Sequence, residues 1–552
     1  MSGPSRYDSR RFARPALRGA FALGLIMGAV AVAPRPATAQ VGRAVASTDN
    51  GTITYVTDET PLDLDPASNS GSASALISRN IDDNLVAFDG ASIDAIRPVL
   101  ATSWSTNADK SVWTFHLRHG VSFHTGRCCM TADDVQYSLG RTVTAGLAAS
   151  YLLGRFMTKP FSQIKVLDQY TVEFDLGHSQ PIFLSALASY FTGPILDAQV
   201  LKAHVVKNDW GHNWATGHDL GAGPYVLQSW VHNQQAVLAQ FPAYWGGWSG
   251  PHFSKVIIRT VPSSTTRREL IESGQADLTN DLTAQDNQAL QGNTQVKVVS
   301  PPGTSIHYIA MTDAGLLASP YARQALSYTF NYDAYIKAAF HGYGRRAYGP
   351  LPSTLLGYDP HMFHYQTDLT KARALFQKAG ISSGTTLTYI AGGGVGATPG
   401  LVETILQAQL AQLGITLKIQ YVNASGYASI VFGSEPAAKR PNMLPVSWYP
   451  DYNDPYDEIQ PLLEADQAPP GGTNLGLYHN AQVDALLKDM KYANRETLIR
   501  DAYQLQDITS RVDPPCIWLD EPTAVTVLAA NLKGVLFNPL GIDLFNFYAM
   551  HH

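Results

Sequence analysis

The sequence predicts an α/β protein divided into two or three lobes, and three observations carry that reading. The chain has 552 residues, 45% hydrophobic and 15% charged, which is enough to bury more than one large core. Strand-like alternation is followed by apolar residues at helical spacing on both sides of residue 300. No low-complexity tract and no repeat of solenoid length interrupts this order.

Taken along the chain, "GTITYVTDETPLDLDP" alternates like a strand and turns at Asp65-Pro66, and "SASALISRNIDDNLVAF" then carries a helical apolar face. "KSVWTFHLRHGVSF" and "YTVEFDLG" alternate as further strands. Between them "TADDVQYSLGR" reads as a helix with Thr131 as N-cap and Asp133 and Asp134 in its first turn. A Gly/Pro turn opens "GAGPYVLQSWVHNQQAVLAQFPAYWGGW", which reads as two strands and a Gly-aromatic turn, and "VIIRTV" with "STTRRELIESGQADL" repeats the strand-helix theme. Past residue 300, Ser319-Pro320 starts the helix "YARQALSYTF" and Asp368 starts "LTKARALFQKAG". "TLTYIA", "LVETILQAQLAQLG" and "ITLKIQYV" form a βαβ unit. Two more helices, "QVDALLKDM" and "RETLIRDAYQLQDITSR", precede the strand-like "CIWLD" and "AVTVL".

The first 39 residues differ in kind. Five arginines from Arg6 to Arg18 precede an uncharged apolar stretch from Gly19 to Ala33, then Ala37-Thr38-Ala39, the pattern of a secretory signal cleaved to leave Gln40. The apolar run is short for a membrane span, and no cysteine follows it to take a lipid anchor. Arg10-Arg11 hints at twin-arginine export, but Ala13 stands where that signal carries a large apolar residue, so ordinary Sec export is the expectation. Residues 1–39 hold six arginines and one aspartate, so their removal takes the formal net charge from −6 to −11. Such a surface repels nucleic acid and anionic lipid. Of three cysteines, Cys128 and Cys129 are adjacent and Cys516 stands apart, which is no disulfide framework. The adjacent pair is read as plain small apolar residues, a bridge between them being the alternative.

Familiar chemistry is missing from the motifs. The loop Gly392 to Gly400, "GGGVGATPG", sits where a dinucleotide fingerprint would, but the following strand ends without an acid to hold a ribose, so a plain βα turn is expected. Sixteen histidines include no H-E-x-x-H, and neither a G-x-S-x-G elbow nor a phosphate-binding loop occurs. No cofactor, no metal and no enzyme activity are expected.

One acidic stretch does stand out: Ser447 to Ile459, "SWYPDYNDPYDEI". Asp454 precedes Pro455, and Asp457 and Glu458 fall in the next turn, which is how a helix start satisfies its free N–H groups and dipole. Asp451 lies before that helix, at the end of the apolar run "MLPVSWYP", among Trp448, Tyr449 and Tyr452. A carboxylate held among aromatics is costly to desolvate unless a cation meets it. The alternative is a surface Asx turn, or ordinary core aromatics at a strand end.

Together these segments resemble extracytoplasmic solute-binding protein family 5, the dipeptide- and oligopeptide-binding receptors of ABC importers. The resemblance runs from "LDPASNSGSASALISRNIDDNLV" through "PVLATSWSTNADKSVWTFHLRHGVSFHTGRCCMTADDVQYSL", its most specific block, to "WYPDYNDPYDEIQPLL" and "YHNAQVDALL". Cys128-Cys129 and "HYIAMTDAG" depart from the usual pattern. The resemblance implies a type II, cluster C periplasmic binding protein fold: mixed sheets in two hinge-connected lobes with an extra subdomain. It places the signal peptide at 1–39, lobe I at 40–88, 204–302 and 520–552, the subdomain at 89–203 and lobe II at 303–519. By the same resemblance Asp451 meets the ligand's α-ammonium, with Trp448, Tyr449 and Tyr452 around it. The implied function is capture of a short peptide, or a related amine-bearing solute, in the periplasm and delivery to an ABC permease. Within the family a nickel chelate, oligosaccharide, opine or glutathione is the alternative ligand. A secreted hydrolase and a periplasmic chaperone are the rivals from other classes. A monomer without nucleic-acid partner or membrane insertion is expected.

Overall fold

The computed structural model describes residues 51–552 apart from 69–70, 148, 192, 341–343, 393–399, 471, 524 and 542. The expected signal segment and most of the glycine loop at 392–400 lie outside the described residues.

Among the described residues the strands gather into two large mixed sheets, a smaller antiparallel one and a two-stranded ribbon. The first large sheet has seven strands, ordered Val296–Val299, Thr526–Ala529, Leu278–Asn280, Thr52–Thr57, Lys255–Thr260, Gln235–Gln240 and Tyr225–Val231. Thr52–Thr57 runs parallel to both of its neighbours, and the other pairs are antiparallel. The second has six, ordered Gly344–Arg346, Cys516–Pro522, Ile306–Met311, Met443–Trp448, Thr386–Gly392 and Thr416–Val422. The four-stranded sheet, Ala101–Thr106, Val112–Leu117, Thr171–Asp175 and Ile164–Asp168, belongs to a segment inserted in the chain between Thr52–Thr57 and Tyr225–Val231 of the first large sheet.

Local chemistry explains the main elements. Helix Ala132–Thr144 starts at Thr131, whose backbone N–H donates to the Asp134 carboxylate at 2.8 Å, the returning half of a capping box. Helix Leu369–Lys378 starts at Asp368, which accepts from the Lys371 N–H at 2.9 Å. Helix Pro320–Thr329 has Ser319 at its cap and proline in its first turn, but the Ser319 side chain makes no capping bond. The βαβ unit forms as the periodicity predicts. Strands Thr386–Gly392 and Thr416–Val422 pair in parallel across helix Leu401–Gln412, which buries Leu406 and Leu410 against Leu387 and Leu417.

The adjacent cysteines correct an expectation. Cys128 and Cys129 are bridged to each other across a cis peptide, on a partly exposed turn rather than in a core. Arg127 holds that turn, donating to the Cys129 carbonyl at 3.2 Å and pairing with Asp197 at 2.8 Å and with Asp134. On an exposed turn there is little apolar surface to bury, so burial does not decide the form of the pair.

Candidate functional site

Strand Met443–Trp448 is interior to the second large sheet and delivers its C-terminal end to the boundary between lobes. Its first four residues are buried, as an apolar run flanked on both sides requires, and Trp448 is half-buried at its mouth. Beyond it the chain carries Tyr449, 50% exposed, then Asp451, 8% exposed, and Tyr452, wholly buried. Asp451 donates its backbone N–H to the Asp457 carboxylate at 3.4 Å, which ties the loop to the next helix.

That helix, Pro455–Leu463, begins at Asp454, whose side chain accepts from the Tyr456 N–H at 3.0 Å with Pro455 in the first turn. Capping by Asp454 is as the sequence predicts. Asp457 and Glu458 are not the solvated first-turn acids that the sequence suggests. Both are buried, and Arg155 of the inserted segment reaches over Asp457. Its guanidinium pairs with Asp457 at 3.1 Å, approaches Asp454 at 3.7 Å, bonds the Tyr452 hydroxyl and lies 4.9 Å over the Tyr456 ring. Burial pushes the Asp457 carboxyl up to about 6 against the pull of Arg155. Glu458 is fully buried with neither oxygen hydrogen-bonded, and burial holds its carboxyl well above the carboxylate range. The Trp448 indole N–H moderates that shift without reaching hydrogen-bond geometry.

The facing wall comes from the seven-stranded sheet. Asp58 and Glu59 follow strand Thr52–Thr57, Asp281 follows Leu278–Asn280 at a φ of 53°, and Asp543 is brought in from the C-terminal segment. Asn280 donates to Asp543 at 3.0 Å and accepts from the Tyr55 hydroxyl at 2.6 Å. Loss of hydration, with repulsion from Asp281 and Asp58, raises Glu59 to about 7, and loss of hydration with repulsion from Asp543 and Asp58 raises Asp281 to about 8. Glu59 also acts on Tyr449, so the two walls sense each other here. The structure therefore brings Trp448, Tyr449 and Asp451 to the mouth of one strand and withdraws Tyr452 beneath them, where its hydroxyl meets Arg155. Sequence reasoning missed Glu59, Asp281, Asp543 and Arg155. "TDET" reads as a strand end, and nothing local joins positions so far apart in the chain.

Among the described residues no cluster of His, Cys, Asp or Glu forms a metal-ligand set, and no helix is long and apolar enough to cross a membrane. His124, His212 and His307 each pair with one aspartate, Asp219, Asp65 and Asp520, at 2.7–2.8 Å.

Two mixed-sheet lobes with a chemically furnished boundary define a binding protein that encloses a solute. The chain belongs to the bacterial extracellular solute-binding proteins, family 5, whose family model matches residues 95–469. It is 28% identical over 455 residues to the probable D,D-dipeptide-binding periplasmic protein DdpA of Escherichia coli, covering 82% of this chain and 84% of that one. It is 27% identical over 526 residues to heme-binding protein A of Haemophilus influenzae, covering 90% and 92%. Among solved structures it matches the periplasmic binding protein DppA of Helicobacter pylori in complex with peptide STSA. There the TM-score is 0.77 at 25% identity, over 91% of this chain and 98% of that one. The fold is the type II periplasmic binding protein fold that the resemblance implied.

Proposed function

We propose that this protein captures short peptides, or related amine-bearing solutes, between its lobes in the periplasm and delivers them to the permease of an ABC transporter. The observation that carries this reading is the position of Asp451. It is a largely dehydrated carboxylate at the mouth of an interior strand, beside half-open Tyr449, which the Glu59 carboxyl of the other large sheet also acts on. An ammonium entering that space gains attraction from both walls in a setting poor in water, where one ion pair counts for more than in solution. Backbone hydrogen bonds then read any peptide, and bridging water accommodates varied side chains. The likeness to a D,D-dipeptide-binding relative and to a peptide complex supports a peptide over the other solutes of the family.

In this reading Asp451 holds the α-ammonium, Trp448 and Tyr449 wall the ligand, and Tyr452 supports the loop from below through Arg155. The lobes divide as 40–88, 204–302 and 520–552 against 303–519, with 89–203 as the added subdomain of the first. Residues 1–39 act as a cleaved export signal, and the mature chain acts as a monomer without catalysis.

Titration calorimetry of wild type and Asp451→Asn with a set of di- and tripeptides tests the assignment. The variant keeps the shape and removes the charge, so its affinity should fall by roughly thirtyfold to several thousandfold, the cost of a buried ammonium left without its partner. Equal affinity in the two proteins would refute the role of Asp451 and point to a neutral or anionic ligand.

A further inference from the structure

A cavity of about 220 Å³ lies within the first lobe, and it shares no residue with the Asp451 site. Arg79, in the last turn of helix Ser72–Ile81, and Arg97, on the short strand Ile96–Pro98, both line it. Tyr190 completes that side, with the Arg79 guanidinium 4.1 Å from its ring centroid.

The polar inventory of this cavity does not balance internally. Arg79 Nε and the Tyr190 hydroxyl are buried with no hydrogen-bond partner. Among the described residues neither Arg79 nor Arg97 forms an ion pair. Two aspartates also line the cavity, but both are engaged: Asp82 accepts from the Ser78 hydroxyl at 2.5 Å and Asp83 from the Trp245 indole N–H at 2.7 Å. Two guanidinium groups thus line a part-open cavity in which Arg79 Nε and the Tyr190 hydroxyl are unused donors, and neither nearby carboxyl comes within ion-pair distance of them. Water has room there, since each molecule takes about 30 Å³, but water adds no negative charge to two guanidinium groups whose nearest carboxyl, Asp83, is itself held by the Trp245 indole.

We propose that this cavity is a second binding site, for a compact oxyanion of the phosphate or carboxylate class, gripped by Arg79 and Arg97 with the Tyr190 hydroxyl as a third donor. The planar guanidinium fork matches both oxyanions bidentately. The size fits a phosphate group or a small dicarboxylate. Burial lifts Asp82 to about 8 and Asp83 to about 7, so at neutral pH these carboxyls offset less than their formal charge and the cavity stays net positive.

The test uses the mature protein, calorimetry with inorganic phosphate and with succinate, and a chloride control at equal ionic strength. Saturable binding of at least one anion is expected. Arg97→Gln, at a half-buried position that tolerates the change, should weaken that binding by about tenfold or more, the loss of a charge-assisted hydrogen bond. Tyr190→Phe should weaken it less. Peptide affinity should be unchanged in both variants, and Asp451→Asn should bind the anion as wild type does, which keeps this site's outcome separate from that of the cleft. The proposal is overturned if neither anion saturates at about 10 mM, or if Arg97→Gln binds as tightly as the wild type.

Discussion

Asp451, Asp454, Asp457 and Glu458 occupy one short stretch of chain, yet each meets a different environment. Asp454 is bound to the helix it starts, so Asp454→Ala should lower stability by about 0.5–2 kcal/mol while leaving peptide affinity nearly intact. Thermal melts and calorimetry on the same samples check both halves. Glu458 makes the opposite case. Its folded-state pKa lies above its unfolded value, so its contribution is fully present below the unfolded pKa and is lost as pH rises toward the folded one. Glu458→Gln removes that loss. The variant's melting temperature should overtake wild type progressively between about pH 5 and 8, at up to about 1.4 kcal/mol per pH unit. A difference that does not change with pH would mean that the buried carboxyl is ionised. The cap at Asp454 was legible in the sequence because its partner is two residues away. The burial of Asp457 and Glu458 was not, because what covers them comes from Arg155 and from the strands of the second sheet.

At the scale of elements, Arg155 joins the inserted segment to helix Pro455–Leu463, and Phe156 packs with Tyr452 in the same apolar cluster. Asp94 adds a second link, accepting from Asn453 at 2.8 Å and lying 3.4 Å from Arg495. Arg155→Met would keep the stem and leave Asp457 and Asp454 buried without their cation. Since a fifth of the Arg155 side chain meets solvent, the cost should be about 2–4 kcal/mol, below that of a fully buried pair. Scattering should also show a larger mean radius of gyration without ligand, and a variant as stable and compact as wild type would remove Arg155 from any role in holding the lobes together. Most elements were readable beforehand because their signals are local: a cap, a proline, an apolar period. The vicinal bridge at Cys128-Cys129 was not, since two adjacent cysteines look alike in sequence whether bonded or free.

For the whole molecule, enclosure of a ligand between lobes implies hinge motion. Adding a peptide of measured affinity should reduce the radius of gyration, and superimposable scattering curves with and without it would count against closure. The carboxyl wall makes a further expectation. Glu59 and Asp281 are raised to about 7 and 8, so an arriving cation should drive off protons, and affinity should increase as pH rises from about 6 to 8. A flat pH profile would place the ammonium away from that wall.

The order of strands carries one more consequence, for the timing of folding. Cys516–Pro522 lies between Gly344–Arg346 and Ile306–Met311 in one large sheet, and Thr526–Ala529 lies between Val296–Val299 and Leu278–Asn280 in the other. A nascent chain halted ahead of Cys516 therefore holds two sheets that each lack an interior strand, with raw edges where that strand belongs. Such long-range pairings form late and slowly. A chain ending at Pro515 should show no protease-resistant core of either lobe, whereas the full chain should show both. The last strands to be made are thus the ones that lock both halves.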